Sequence, residues 1–183
     1  MGILSVLFRE VLRAVESAVD GPPVRSDGST RSEIRRDTSW FGDRHARIHD
    51  EVHMIARHFS KHEGVCWDEA NADWVMIPKY PLPERWRARW CRLLIVLPQA
   101  YPATPPIGFY LNRRFRLKKG GQDNHLIGFG TEGAPDLQAQ DWQWYCVRTA
   151  DGPGGWRPST DCRTGDNLWT FLTLVREALT NED

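Results

Sequence analysis

The sequence lacks several features that would place it at once in a common functional class. Its 24 acidic residues balance its 24 basic ones, so no overall field attracts nucleic acid or an anionic membrane. No apolar run approaches the length of a transmembrane helix. Walker A loops, dinucleotide fingerprints and a Ser-His-Asp order are also missing. We therefore expect a protein without a bound cofactor and without a membrane partner.

Cysteine is scarce, and its spacing forms no metal knuckle of the CxxC type. The four residues are Cys66, Cys91, Cys146 and Cys162. A chain of 183 residues can bury a sizeable core without disulfides. The apolar start of the chain is interrupted by Arg9 and Glu10, too early for a secretory signal. These observations predict a cytoplasmic protein with free thiols.

The sequence divides into three parts. Apolar residues at helical spacing predict an N-terminal amphipathic helix in residues 1–20, which would pack back on the domain or dock a partner. Glycine, proline, serine and arginine make residues 21–42 a linker. Residues 43–183 remain as the folded domain.

Within that domain the hydrophobic period changes from helical to extended and back. A helix is predicted over 43–62, and strands over 74–77, 85–97 and 107–111. Prolines mark residues 78–83 as an edge or turn, and 112–141 form a long irregular segment. A short apolar segment, 142–147, precedes a last helix with Asp166 as its N-cap. This order predicts an α+β fold, an antiparallel β-meander flanked by helices.

Histidines are concentrated in the predicted helix 43–62. His45, His49 and His53 stand four residues apart, a spacing at which two histidines can share a metal ion. They drift away from the apolar stripe of the helix, and no cysteine or HExxH context accompanies them. We therefore expect a solvated flank and no metal site.

One dense basic run covers residues 113–119. It contains Arg113, Arg114 and Arg116. A nucleic-acid patch is one interpretation, but the neutral overall charge favours a contact with an acidic protein partner. The predicted partner-binding residues are these three arginines together with Ile48 and Val52 of the second helix.

Four sequence elements occur in an order that resembles the ubiquitin-conjugating-enzyme superfamily, and more closely its divergent prokaryotic branch. They are Tyr80-Pro81-Leu82-Pro83, the segment LPQAYPATPP at 97–106, Cys146 followed by Trp156-Arg157-Pro158, and the amphipathic helix of 166–179. The HPN tripeptide that eukaryotic members carry before the cysteine is missing. The closest match is Asn124-His125, about twice as far upstream.

The resemblance implies a UBC-like fold and a bacterial conjugating enzyme that carries a ubiquitin-like modifier as a thioester on Cys146 and passes it to a lysine amine. Arg148 would favour the thiolate. Asn124 or His125 would donate to the oxyanion, and Asp151 or Asp161 would orient or deprotonate the amine. Trp156 and Pro158 would shape the loop, with Cys162 as the rival nucleophile.

The implied partners are a ubiquitin-like protein, its activating enzyme and a deconjugating peptidase. An alternative is a catalytically inactive module of the same fold that recruits the ubiquitin-like protein or its activating enzyme. In that case Cys146 is a small buried hydrophobe, the commonest state of a free cysteine. A nucleic-acid accessory protein that uses the 113–119 run is a third and more remote interpretation.

Overall fold

A computed structural model describes residues 43–59, 64–112, 115–120, 134–147 and 155–181. Within these ranges the chain forms a five-stranded antiparallel sheet and two α-helices. The elements are α1 Arg44–Phe59, β1 Cys66–Trp67, β2 Trp74–Pro81, β3 Trp90–Val96, β4 Gly108–Leu111, β5 Gln143–Cys146 and α2 Leu168–Thr180. The predicted α+β class and antiparallel meander are confirmed. The predicted helix 1–20 and linker 21–42 lie outside the described residues.

The five strands pair in chain order, so each strand runs opposite to its neighbour. The sheet therefore has two distinct ends. At the Cys146 end, the start of β2 lies beside the end of β3, and Gly108 of β4 pairs with Cys146 of β5. At the Trp90 end, Pro81 of β2 pairs with Trp90 of β3. These two names are used below for the two ends of the sheet.

Side chains alternate between the two faces of the sheet, as the pleat requires. Both helices pack on the inner face, which carries Val75, Ile77, Leu93, Ile95, Phe109, Leu111 and Tyr145. The outer face carries a second buried cluster, covered by Leu137 and Trp142 from the connection before β5; its strand members are Trp74, Met76, Leu94, Tyr110, Trp144 and Cys146. The domain thus has apolar layers on both sides of one sheet.

The apolar stripe of α1 faces the inner layer, as its helical spacing predicts. Ile48 has no exposed surface and Val52 is 3% exposed. The assignment of these two side chains to a partner-binding surface is wrong, because they contribute their contact area to the core. The exposed face of α1 carries His45, His49 and His53 instead.

Two strand boundaries differ from the sequence prediction. β2 continues through Pro78 to Pro81, because an irregularity in the β2–β3 register between Ile77 and Tyr80 accommodates the proline. Proline is tolerated in a strand at such a bulge. The predicted strand 85–97 begins only at Trp90. Residues 82–89 form a hairpin extension instead, anchored by the Trp86 indole, which donates to the carbonyl of Leu179 at 2.8 Å.

The N-cap of α2 is one residue later than predicted. The side chain of Asn167 accepts from the amides of Trp169 and Thr170 at 2.8 and 3.1 Å, so it satisfies donors that the helix itself leaves unpaired. Asp166 accepts instead from the amide of Arg157. The carboxylate therefore fixes the preceding loop and does not cap the helix.

A buried carboxylate connects three distant parts of the chain. Glu51 of α1 forms an ion pair with Arg47, accepts from the Tyr101 hydroxyl, and accepts from the amide of Leu168 at 2.7 Å. Arg47 also donates to the carbonyl of Ser159. Burial raises the pKa of Glu51, while the hydrogen bond from Tyr101 and the charge of Arg47 oppose the shift. The network joins α1, the segment after β3 and the first turn of α2.

We expect Tyr101→Phe to lower the free energy of unfolding by about 1–3 kcal/mol, since the buried Oε2 of Glu51 loses one of its two donors and keeps the Leu168 amide. Glu51→Gln should cost a similar amount. The double variant should lose less than the sum, because the uncharged glutamine already weakens the charge-assisted hydrogen bond that Tyr101→Phe removes. Urea denaturation measures all three values.

Tyr110→Phe is the matched control. Its hydroxyl donates to the carbonyl of Pro135 at 2.7 Å on the outer face, remote from Glu51. The cost of this change should add to that of Glu51→Gln. Additive behaviour of the Tyr101 and Glu51 changes would contradict the network.

Candidate functional site

Cys146 is the last residue of β5 and lies at the edge of the outer apolar cluster. Its relative exposure is 8%, and burial raises the pKa of its thiol above the ordinary value of 9.0. The partner residue in β4 is Gly108, where a Cβ would collide with the Trp144 indole and the carbonyl of Tyr145. Glycine at that position allows the backbone and the indole to pack closely beside the cysteine.

Several residues predicted for the site lie outside the described part of the chain. They are Arg113, Arg114, Asn124, His125 and Asp151. Arg148, expected to favour the thiolate, also falls outside it. Besides Ile48 and Val52 of α1, the described residues therefore place Cys146, Asp161, Trp156, Pro158 and Arg116 from the predicted set.

The tryptophan after the cysteine contacts the proline-rich segment that follows β3. The Trp156 indole donates to the carbonyl of Pro102 at 2.6 Å, and its ring lies 6.3 Å from that of Tyr101 between centroids. Because Pro102 belongs to the connection from β3 to β4, this contact lies at the Cys146 end of the sheet. Two separate motif elements of the sequence thus meet in space.

The residues after Trp156 form a closed loop that returns to the start of α2. Pro158 and Gly165 pair as an antiparallel bridge. Gly165 has a φ of 70°, and a Cβ there would lie 2.7 Å from the carbonyl of Arg157. Only glycine fits this position without strain. The loop conformation is therefore determined by local backbone geometry together with the Trp156 contact.

Asp161 lies in this loop, with its carboxylate accepting from the amide of Arg163 at 2.9 Å. It lines an open cleft of about 560 Å³ between the loop and α1. The cleft also contains the half-buried Cys162 and, from α1, Asp50 and His53. Burial raises the pKa of the Cys162 thiol, and the charge of Arg47 opposes the shift.

The structure thus divides the predicted catalytic set. Asp161 shares a cleft with Cys162, the rival nucleophile, whereas Cys146 belongs to the outer cluster of the sheet. Sequence reasoning missed the buried pair of Arg47 and Glu51, although their spacing of four residues in a helix was a usable signal. The sequence also gave no indication that the Tyr101 hydroxyl donates to Glu51; Tyr101 was noted only as part of the 97–106 motif.

The described residues contain neither a membrane-spanning helix nor a cluster of metal ligands. In the parts of the chain that the structure describes, no helix is long and apolar enough to cross a bilayer. Within the same ranges, no three His, Cys, Asp or Glu side chains are placed to hold a metal ion. His49 and His53 contact each other edge to face, with ring centroids 4.2 Å apart.

Comparison with known proteins adds one positive finding. The family model described as prokaryotic E2 family E matches residues 49–182, a range that extends from α1 to the end of α2 and includes both cysteines of the candidate site. No curated protein and no solved structure matches the chain. Since the match covers most of the sequence, the chain belongs to prokaryotic E2 family E, and its broad function is ubiquitin-like conjugation.

Proposed function

We propose that this protein is a conjugating enzyme that carries a ubiquitin-like modifier as a thioester on Cys146 and transfers it to a lysine amine. The observation that carries the proposal is the contact between Trp156 and the carbonyl of Pro102. It brings the tryptophan motif that follows Cys146 against the proline-rich motif that follows β3, at the end of the sheet where Cys146 lies. The family membership supplies the reaction class.

The chemistry requires two acyl transfers. The Cys146 thiolate attacks the carbonyl carbon of the modifier's C-terminal thioester on the activating enzyme, and the cysteine of that enzyme leaves as thiolate. A lysine amine of the target then attacks the new thioester. An amide bond forms, the Cys146 thiolate leaves, and the amine loses a proton to a base.

A high thiol pKa is compatible with this cycle. A thiol of raised pKa is ionised in only a small fraction at neutral pH, but its thiolate is intrinsically more nucleophilic. The apolar neighbours of Cys146 keep water from a bound acyl group, which limits hydrolysis of the thioester. We assign oxyanion donation to Asn124 or His125, and orientation or deprotonation of the amine to Asp151. Asp161, which shares a cleft with Cys162, would take that role if Cys162 were the carrier.

One observation favours the second candidate, a module of the same fold that binds without chemistry. Cys146 is only 8% exposed, which is ordinary for a structural cysteine. In that case the protein would recruit a ubiquitin-like protein or its activating enzyme and form no covalent bond. Both candidates share these two partners, and a deconjugating peptidase would reverse the modification only in the first.

The deciding measurement is a charging assay with ATP, magnesium, the cognate activating enzyme and the ubiquitin-like protein. We expect a thiol-sensitive adduct for the natural sequence and none for Cys146→Ala. Cys146→Ser should give an adduct that resists thiol reductants and is cleaved by alkali, because the serine forms an ester in place of the thioester. Intact-mass measurement identifies each species.

Cys162→Ala is the matched control, since it removes the other thiol of the candidate site. It should charge like the natural sequence. An adduct that survives Cys146→Ala but is lost in Cys162→Ala would move the carrier to the cleft beside Asp161. Absence of any adduct, while the activating enzyme charges itself, would establish the binding module.

We expect Trp156→Phe to slow charging by several-fold, because the ring remains while its donor to Pro102 is lost. Removal of one such hydrogen bond should cost about 1 kcal/mol of unfolding free energy. Trp169→Phe is the control, since Trp169 is 40% exposed on α2 and should charge normally. Equal charging rates for the two variants would show that Trp156 does not position the site.

Alkylation by iodoacetamide should report the raised pKa of Cys146. Because the thiolate is the reactive form, its rate at neutral pH should be slower than that of a free cysteine. The rate should rise about ten-fold per pH unit up to and beyond pH 9, since titration occurs above the usual thiol value. Peptide mapping separates Cys146 from the other three thiols. A rate plateau below pH 8 would contradict the burial effect.

A further inference from the structure

Two basic stretches that are distant in sequence form one surface at the Trp90 end of the sheet. Trp86 pairs with Leu117 as an antiparallel bridge. The amide of Arg87 donates to the carbonyl of Arg116 at 2.9 Å, and the amide of Lys118 donates to the carbonyl of Arg85 at 2.7 Å. We call residues 85–89 and 116–119 the basic ribbon.

The alternation of the ribbon separates its apolar from its charged side chains. Trp86 is buried and Leu117 packs against the core, so the residues on either side of them project to the other face. The exposed cations are Arg87, Arg89, Arg116, Lys118 and Lys119. Residues 79–92 and 115–120 together contain eight basic residues and one acidic residue, Glu84. A chain without net charge thus concentrates positive charge here.

The pairing of the ribbon places like charges opposite each other. The bridge between Trp86 and Leu117 puts Arg87 opposite Arg116 and Arg85 opposite Lys118. The Arg85 guanidinium lies 5.4 Å from the centroid of the buried Trp86 ring, so the repulsion concerns chiefly Arg87 and Arg116. Like charges in this position destabilise a strand pair. The ion pairs found among the described residues do not involve Arg87, Arg116 or Lys118. An anionic partner would remove the repulsion that the ribbon carries by itself.

Single-stranded nucleic-acid surfaces stack successive bases on several open aromatic faces, whereas Trp90 is the exposed aromatic residue that the structure describes beside the ribbon. The ammonium group of Lys79 lies 5.4 Å from the ring centroid of Trp90, and Phe115 is half-buried against the core. By contrast, the ribbon matches an extended polypeptide. Side chains on one face of a strand are spaced about 7 Å apart. The cations on the exposed face of the ribbon have this spacing, and so do the carboxylates on one face of an extended acidic segment, so the two sets of charges can pair.

We propose that the basic ribbon binds an extended acidic segment of a partner protein. The buried Trp86 ring of the ribbon points inward and reaches the Tyr145 ring at 6.4 Å between centroids. The exposed cations of the ribbon and Cys146 lie at opposite ends of the sheet, because β4 begins at Gly108, which pairs with Cys146, and ends at Leu111, before the ribbon segment 116–119. A partner bound at the ribbon therefore leaves the Cys146 end open. The ribbon can therefore bind a partner protein whether or not Cys146 carries a thioester.

The test is fluorescence anisotropy with a labelled peptide of alternating Glu and Thr, about twelve residues long, and the natural full-length chain. We expect binding that weakens steeply as salt increases from low to physiological concentration. The double change Arg87→Glu and Lys118→Glu should weaken it by about ten-fold or more. The control Arg157→Glu and Arg163→Glu alters the net charge equally at the Cys146 end and should change it by less than about two-fold.

A neutral pair of changes, Arg87→Gln and Lys118→Gln, provides the check on folding. It should weaken peptide binding, and it should keep or raise the melting temperature of the protein, because the like-charge repulsion within the ribbon is relieved. Equal effects of ribbon and control variants, or no peptide binding at low salt, would overturn the proposal. So would tighter, ribbon-dependent binding of an oligothymidylate of the same length, which would make a nucleic acid the partner. The charging assay is independent of each result.

Discussion

The buried Glu51 carboxylate is the interaction on which the arrangement of the functional loops depends. It lies in α1, yet its acceptor positions are filled by the Tyr101 hydroxyl, the Leu168 amide and the Arg47 guanidinium. A buried charge is tolerated only when it is paired and hydrogen-bonded. The fold therefore has to bring the segment after β3 and the start of α2 to one side of the same helix. Loss of Arg47 would leave the carboxylate without its counter-charge, and loss of Tyr101 would remove one hydrogen bond to a buried oxygen.

The same network positions the loop that follows Trp156. Arg47, held by Glu51, donates to the carbonyl of Ser159, and Trp156 is fixed to the carbonyl of Pro102 next to Tyr101. Buried polar contacts thus connect the two sequence motifs at the Cys146 end. The cysteine itself lies across the sheet in an apolar cluster, where packing and not charge determines its surroundings. In our proposal the protein protects a thioester by exclusion of water and relies on the activated modifier to supply the reactive group.

The antiparallel meander also separates two surfaces. Because successive strands reverse direction, the connections between them alternate between the Cys146 end and the Trp90 end. The proline-rich segment belongs to the first end and the hairpin with Trp86 to the second. α2 extends from one end of the sheet to the other. It begins at the Glu51 network, and near its end the carbonyl of Leu179 accepts from the Trp86 indole. Chemistry and partner recruitment can therefore occupy opposite ends of one small sheet.

The sequence by itself determined the class of fold and the location of most of its regular elements. The stripe of α1 follows from periodicity, because the helix must bury one face. The alternation at 85–89 predicted a strand, but β3 begins only at Trp90. The motif order around Cys146 and Trp156 was sufficient to indicate the family. Proposed roles for Asn124, His125 and Asp151 remain sequence predictions, since these residues lie outside the described part of the chain.

Only the tertiary structure decided which polar residues meet. Periodicity does not reveal that Glu51 accepts from Leu168, because a hydrogen bond across the fold leaves no local pattern in the sequence. Ile48 and Val52 were assigned to a partner-binding surface, because periodicity does not show whether an apolar stripe packs on the core or on a partner. The pairing of Arg87 with Arg116 arises from strand register, which joins segments distant along the chain. Local propensity determined the elements, and long-range contacts determined the sites.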